Sequence, residues 1–535
     1  MDQKAPKRYR ILVLDGLSPK GVELLAGEPR LEVTNSPTLN PVDLQQTIGD
    51  YDGVIVRSAT KITADILEHA QRVRLLCRAG IGVDNIDLDA ATSKGIVVMN
   101  SPGGNVVTTA EHTLSMLLSL SRNIPQAVLA MRAGRWERKK FTGVEVYRKV
   151  LGVIGLGRIG SVVARLALGI GMQVIGYDPY ISREKVESLG IEVVSFEEVL
   201  RRCDYLTLHT PMTEETRSLI GAKELAQMKQ GVRIINCARG GLVNEAALLE
   251  GLQSGKVAGA ALDVFEQEPP PPAHPLVNHP AVICTPHLGA ATEEAQDRIA
   301  VDVAQQMIDF FLHGQIRNAV NVPSIDAESF QRIKPFLALA EKLGRFQAQL
   351  AEGGVQEVSI QYSGEVAGYD TKWISLTLLN GVLTTFLGDT VNVVNAGVVA
   401  RNRGIRIVES SSSEAEDYTS LITVTITTDV GAHTMSGTIL GKRDERIILI
   451  DGYRIEVVPQ GHLLIVRNED QPGVIGRLGT ILGRNGLNIG GMHLGRLAPH
   501  GQAMCILAVD SPVPQSVINE ILQYPPFISV NAVTL

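Results

Sequence analysis

The stretch LGVIGLGRIG, residues 151–160, constrains the fold of this chain more than any other ten residues. A run of β-type apolar residues, KVLGVIG, leads into it, and an apolar helical pattern, SVVARLALGIG, leads out. Strand, glycine turn and helix in that order open a βαβ unit, and Gly155, Gly157 and Gly160 stand at the G-x-G-x-x-G spacing. The first glycine permits a tight turn, the second admits a pyrophosphate to the backbone, and the third lets helix and strand pack closely. The helix N-terminus adds free N–H groups and a positive dipole end for phosphates. The next strand pattern, MQVIGYD, ends in Asp178. A carboxylate there accepts hydrogen bonds from a ribose 2′-hydroxyl and repels a 2′-phosphate, so the unit predicts a site for NAD rather than NADP. The plainer alternative is an ordinary βα turn followed by an exposed Asp.

Such a loop ordinarily opens a fold, yet here 150 residues precede it. The runs RILVLDG, GVIVRS, LLCRAG and IVVMNSP alternate with helical patterns such as ITADILEHA (62–70) and IDLDAATSKG (86–95). Alternation of this kind predicts a parallel α/β sheet. A second α/β run follows the glycine loop, through YLTLHTP, VRIINCARGG, GAALDVFEQEP and VICTPHLGA. The segment 292–314 then reads as a helix long enough to return to the first sheet. The expected architecture is α/β, with a Rossmann domain (103–294) inserted into a discontinuous flavodoxin-like substrate domain (1–102 and 295–320), and a cleft between them.

At 535 residues the chain is too long for one core. Its net charge of −7 comes with 50 scattered Lys and Arg residues, which offers no footprint for nucleic acid or an anionic membrane. No apolar run reaches the roughly 18 residues of a membrane span. The N-terminus, MDQKAPKRYR, is basic but lacks the apolar stretch of a signal peptide. Five widely spaced cysteines (77, 203, 237, 284 and 505) form no metal pattern and read as reduced core residues. A cytoplasmic location and no metal are the expectations.

Three residues at predicted strand ends carry a chemistry. Ligands of open α/β sheets bind at that edge. Arg239 lies in NCARGG, Glu268 closes DVFEQEP and His287 lies in TPHLGA. Hydride transfer to or from a 2-hydroxy acid needs a base for the hydroxyl proton and a cation for the carboxylate. Histidine suits the first because it titrates near neutrality. Arginine's planar fork suits the second. Glu268 beside the imidazole would favour its charged form and orient the ring. Taken singly, each has a plain explanation: a structural His, a surface ion pair, a solvated turn before prolines. Together, on successive strand ends, they point to a site.

On these motifs the segment from about residue 8 to 320 resembles the D-isomer-specific 2-hydroxyacid dehydrogenases. The resemblance implies Arg239 as substrate-orienting group, Glu268 as tuning carboxylate and His287 as acid/base. It implies NAD contacts at Arg158, Ile159, Thr210, Cys237, Ala238, Arg239, Asp263, His287, Leu288 and Gly289, with Asp263 on the carboxamide. The opposite wall would come from VRSAT (Arg57, Ser58) and RAGIGVD (Arg78, Gly80, Ile81, Gly82), where the turn at Gly80, Ile81 and Gly82 can present N–H groups to an anion. Asn105 and Thr108 sit where the chain crosses between domains. The basic cluster RAGRWERKK (132–140) reads equally as a solvated helix end or a phosphate contact.

Beyond residue 320 the texture changes. Residues 330–455 mix one helical stretch with Thr/Val/Ile-rich strands, and ESSSSEAED (409–417) reads as a polar loop. The last 75 residues predict βαββαβ, the ferredoxin-like order. The stretch 464–494 resembles an ACT domain, in which Asn468, Asp470, Gly473 and Asn488 match effector-binding positions. The whole, with an α+β intervening domain at 321–458 and an ACT domain at 459–535, resembles the long-form D-3-phosphoglycerate dehydrogenases. That resemblance implies 3-phosphoglycerate as substrate, L-serine as effector, and a homo-oligomer, with a tetramer favoured. A glyoxylate/hydroxypyruvate reductase shares the core but leaves the tail unexplained. An NAD-sensing co-repressor shares the triad, but carries a disordered tail.

Overall fold

The computed structural model describes residues 8–181, 186–323, 325, 327–414, 417–441 and 443–535. The basic stretch at residues 1–7 lies outside these.

The first sheet holds β1 (Tyr9–Val13), β2 (Leu31–Asn35), β3 (Gly53–Val56), β4 (Leu75–Arg78) and β5 (Val97–Asn100), all parallel, in the order β2-β1-β3-β4-β5. This is the flavodoxin-like order. Strands covered on both faces need continuous apolar runs, and β3 (GVIV) and β5 (VVMN) are buried at every residue. The sequence reading passes over β2, because an edge strand with one buried residue, Leu31, carries no such run.

The second sheet holds β6 (Val150–Ile154), β7 (Gln173–Tyr177), β8 (Glu192–Val193), β9 (Tyr205–Leu208), β10 (Val232–Asn236), β11 (Val257–Leu262) and β12 (Val282–Cys284). Their order is β12-β11-β10-β9-β6-β7-β8, parallel throughout. From β6 outward that is the doubly wound dinucleotide order with one strand added.

Two long helices join the sheets. The crossing helix (Val106–Arg122) leaves the first sheet for the second. The return helix (Glu293–His313) starts at Thr292, whose side chain accepts from Ala295 N, and ends at Gly314 in a left-handed turn. It buries Ile299, Ala300, Val303, Ala304 and Met307 in one core with Ile11, Val13, Ile55 and Leu75. The Pro19–Ala26 helix lies so close that a Cβ on Gly21 would stand 2.6 Å from Ala300 O.

The third sheet, β13 (Val355–Gly364), β14 (Arg406–Ser412), β15 (Ser420–Thr428), β16 (Ala432–Leu440), β17 (Asp444–Ile450) and β18 (Tyr453–Val457), runs in the order β14-β13-β15-β16-β17-β18. Two expectations are corrected here. Part of the polar ESSSSEAED stretch is edge strand β14, whose backbone pairs with β13 while its side chains face solvent. Among the described residues the segment also holds three α-helices rather than one: Ala327–Leu350, Lys372–Leu387 and Ala396–Asn402. The second is buried over most of its surface, so it lacks the polar stripe that marks a helix in sequence. It crosses the first where Cβ atoms on Gly344 and Gly381 would fall 2.3 and 2.4 Å from the facing carbonyls.

The fourth sheet, β19 (His462–Glu469), β20 (Ile489–Arg496), β21 (Gln502–Val509) and β22 (Phe527–Thr534), is antiparallel in the pairs β20-β21-β19-β22. With helices Val474–Arg484 and Gln515–Leu522 it forms the expected βαββαβ unit. Arg467 of β19 pairs with Asp451 in the β17–β18 turn, fastening the fourth sheet to the third. Asn392 donates to Gly95 O (2.9 Å), fastening the third unit to the first.

Candidate active site

A cleft of about 940 Å³ opens between the carboxyl ends of the first two sheets. Arg57, Ser58, Gly80, Ile81 and Gly82 line one wall, and Ala238, Arg239, Glu268 and His287 the other.

The chain leaves β12 through Thr285 and Pro286 and puts His287 in the left-handed region at φ 55°. Its Nδ1 stands 2.7 Å from Glu268 Oε2, while Glu268 Oε1 accepts from Phe265 N at 3.1 Å. Burial pushes the Glu268 carboxyl up, but the His287 hydrogen bond and charge outweigh it and hold the carboxyl below its ordinary value. An ionised Glu268 can only accept, so the Nδ1 proton points at it and Nε2 is left for the cleft.

Asp263, at the end of β11, is buried. Its oxygens accept from Leu288 N (2.7 Å), Gly289 N (2.8 Å) and Thr285 Oγ1 (2.5 Å). Burial again works against the charge and is outweighed, here by hydrogen bonds from His112, Thr285 and Leu288, so the carboxyl lies below its ordinary value. It clamps the His287 turn. Asp263 also lines a smaller pocket together with Glu268 and His287.

Arg239 reaches across the cleft, its Nε 2.9 Å from Asp84 Oδ2 of the first domain. A Cβ on Gly82 would lie 1.9 Å from its Nη2, so glycine is what admits the guanidinium. Arg57 is held by its N–H to Asp15 Oδ2 (2.9 Å) and by Asn85 Nδ2 on its carbonyl (2.7 Å). Arg78, which the RAGIGVD motif places at a strand end facing the cleft, closes β4. Its guanidinium lines the cleft, and its Nε is buried without a partner. Burial first, then the neighbouring Arg239, pull its pKa down to about 10.

The glycine loop fits a dinucleotide. Gly155 takes φ 88°, and a Cβ there would meet His209 O at 2.6 Å. A Cβ on Gly160 would stand 1.9 Å from Gly155 O, whereas one on Gly157 would meet nothing within 4 Å, leaving space for phosphate. Gly157 caps the helix Arg158–Gly169. The buried Thr210 Oγ1 and His209 Nδ1 have no protein partner. Arg158, Ile159, Thr210, Cys237, Ala238 and Gly289 line the cleft. Asp178 accepts from Leu156 N and Tyr180 N, both 2.9 Å, with one bond to each oxygen. Each oxygen keeps a second lone pair for a ribose. Asn105 faces the cleft with a buried, unpartnered Oδ1, while Thr108 turns away to Thr292 (3.4 Å). The 132–140 cluster does not line the cleft of its own chain.

In the fourth sheet, Asn468, Asp470 and Gly473 gather at the end of β19, where Asp470 accepts from Arg496 and His500 N. Asn488 is not with them. It precedes β20, level with the start of β19, and donates to Asp510 at 2.7 Å. A strand of eight residues, roughly 25 Å, separates the two ends.

The family model of the D-isomer specific 2-hydroxyacid dehydrogenase NAD binding domain matches residues 114–289. That of the D-3-phosphoglycerate dehydrogenase intervening domain matches 332–451, and that of the ACT domain 462–526. The D-3-phosphoglycerate dehydrogenase of Bacillus subtilis is 42% identical over 527 residues, covering 98% of this chain and all of that protein. The one of Methanocaldococcus jannaschii is 43% identical over 528 residues, with the same coverage. Among solved structures, the NAD-dependent formate dehydrogenase of Staphylococcus aureus in complex with NAD aligns at a TM-score of 0.54 and 30% identity, over 59% of this chain and 100% of that one. Similarity along nearly the whole length, across three family models in one order, shows that the chain belongs to the D-3-phosphoglycerate dehydrogenases, NAD-dependent D-2-hydroxyacid dehydrogenases with an intervening and an ACT domain.

Proposed function

We propose that the chain oxidises the C2 hydroxyl of 3-phospho-D-glycerate to 3-phosphohydroxypyruvate, the first step of L-serine synthesis. One observation carries this reading. Arg57, Arg78 and Arg239 converge on the cleft with Asp15 and Asp84 as their nearest carboxylates, a positive excess suited to a substrate anionic at both ends. Arg239 would hold the carboxylate and the neighbouring oxygen. Arg57, Arg78 and the 80–82 turn would hold the other anionic end. His287 Nε2 takes the hydroxyl proton, and Glu268 stabilises the imidazolium so formed. Bound NAD supplies the acceptor for the C2 hydride. Ser58 and Asn105 complete the substrate wall.

The domain boundaries at 102, 294, 320 and 458 belong to this proposal, and the division of the chain into four sheets supports them. So does a cytoplasmic location, in keeping with five free cysteines, four of them buried. Among the described residues, no helix is long and apolar enough to cross a membrane. Exposed Val128, Leu129, Met131 and Trp136 support a homo-oligomer, for which we favour a tetramer. L-Serine would bind between two ACT domains, with Asp470 of one and Asn488 of the other at each site, beside Asn468 and Gly473.

Turnover with 3-phosphoglycerate and NAD, set against hydroxypyruvate and glyoxylate with NADH, tests the substrate. His287→Ala should lower kcat by orders of magnitude while leaving NADH affinity nearly intact. Near-normal turnover in that variant removes His287 from the chemistry.

A further inference from the structure

We propose that His112 is a positioning residue for hydride transfer: from the crossing helix it holds Asp263, and through Asp263 it holds the His287 turn. The proposal rests on His287 being the acid/base group.

Asp263 fixes the turn with its side chain wholly out of solvent. Apart from His112, its donors are neutral: two backbone N–H groups and the Thr285 hydroxyl. His112 Nε2 lies 3.3 Å from Asp263 Oδ1, the one ion pair of Asp263 among the described residues. It also lies 3.2 Å from Thr285 Oγ1. Thr285 spends its proton on Asp263, so its oxygen can only accept, and Nε2 must be the donor whatever the charge of the ring. A buried carboxylate stripped of its partner either protonates or relaxes its surroundings. Both outcomes weaken the N–H bonds from Leu288 and Gly289.

His287 depends on those bonds. At φ 55° it occupies a region that non-glycine residues enter only when neighbours hold them there. The crossing helix grips the same turn a second time, where Thr109 Oγ1 donates to Gly289 O at 2.9 Å. Thr109 and His112 are three residues apart and share one helical face. That face is where the imidazole of His287 takes its aim.

His112→Ala should lower kcat for 3-phosphoglycerate oxidation about 10- to 100-fold, the scale on which an ångström of misplacement costs rate. KM for 3-phosphoglycerate and the NADH dissociation constant should stay within about threefold, since only the transition state needs the aim. The pH profile of kcat should shift with the His287–Glu268 geometry. His112→Gln, whose amide nitrogen reaches the place of Nε2, should recover most of the rate. If the Ala variant does not fold, His112→Leu keeps the volume without the donor. A kcat within about twofold of wild type in the donor-less variant overturns the proposal. So does a loss that Gln fails to restore and that tracks thermal stability alone. His287→Ala assayed alongside separates the two claims: full activity there overturns the acid/base reading itself.

Discussion

His209 lies under the glycine loop, where desolvation lowers its pKa from 6.5 to about 4. Between those values an unfolded chain binds a proton that the folded one refuses. Stability must therefore fall as pH drops through that window, by up to roughly 3 kcal/mol. Thermal midpoints of His209→Gln measured from pH 7 to pH 4.5 should be flatter than those of wild type. Arg78 gives a second expectation at this scale. A charge-assisted hydrogen bond contributes about 1.5–3 kcal/mol, so Arg78→Met should raise KM for 3-phosphoglycerate by about tenfold or more. NADH affinity, read by fluorescence titration, should hardly move. Arg239, Glu268 and His287 were legible because each stands in a motif with glycine or proline punctuation at a strand end. Asp15 and His112 were not. Their roles depend on which side chains lie across the cleft or one helix face away, which spacing along the chain does not encode.

Glycine spacing foretold the β6 loop because each glycine answers a local contact. Gly160→Ala should force its Cβ into Gly155 O, open the loop and weaken NADH binding about 5- to 150-fold, by the roughly 1–3 kcal/mol of an overpacked site. Wild-type affinity in that variant would show the close approach to be dispensable. Parallel strands were legible for the same local reason, since burial on both faces demands an unbroken apolar run. The Lys372–Leu387 helix and edge strand β14 defeated that logic from opposite sides. One is apolar nearly all round, and the other is polar on its open face, so neither carries the period by which it would be recognised.

Across the whole molecule, the placement of Asp470 and Asn488 at opposite ends of the fourth sheet has a consequence for regulation. If two copies pair so that the ends meet, each serine site draws one residue from each copy. Asp470→Ala and Asn488→Ala oligomers should each lose serine inhibition, while a co-expressed mixture keeps one intact site per mixed pair and regains part of it. Inhibition curves on the purified mixture decide the matter. Removal of residues 460–535 should leave a dehydrogenase insensitive to serine. The contacts that would carry the signal, Arg467 to Asp451 and Asn392 to Gly95, join modules far apart in sequence. Module order was readable in the chain, but these fastenings were not.

The return helix also sets a schedule for biogenesis. The first sheet cannot bury Ile11, Val13 and Ile55 beneath Ile299, Val303 and Met307 until residue 313 has been made. At ribosomal rates of about 5–20 residues per second, the first hundred residues wait roughly ten to forty seconds with that face uncovered. The inserted nucleotide domain needs no such partner and is free to fold first, bringing the two halves of its host together. A nascent chain arrested near residue 200 should accordingly recruit a chaperone that one arrested near residue 360 has already shed.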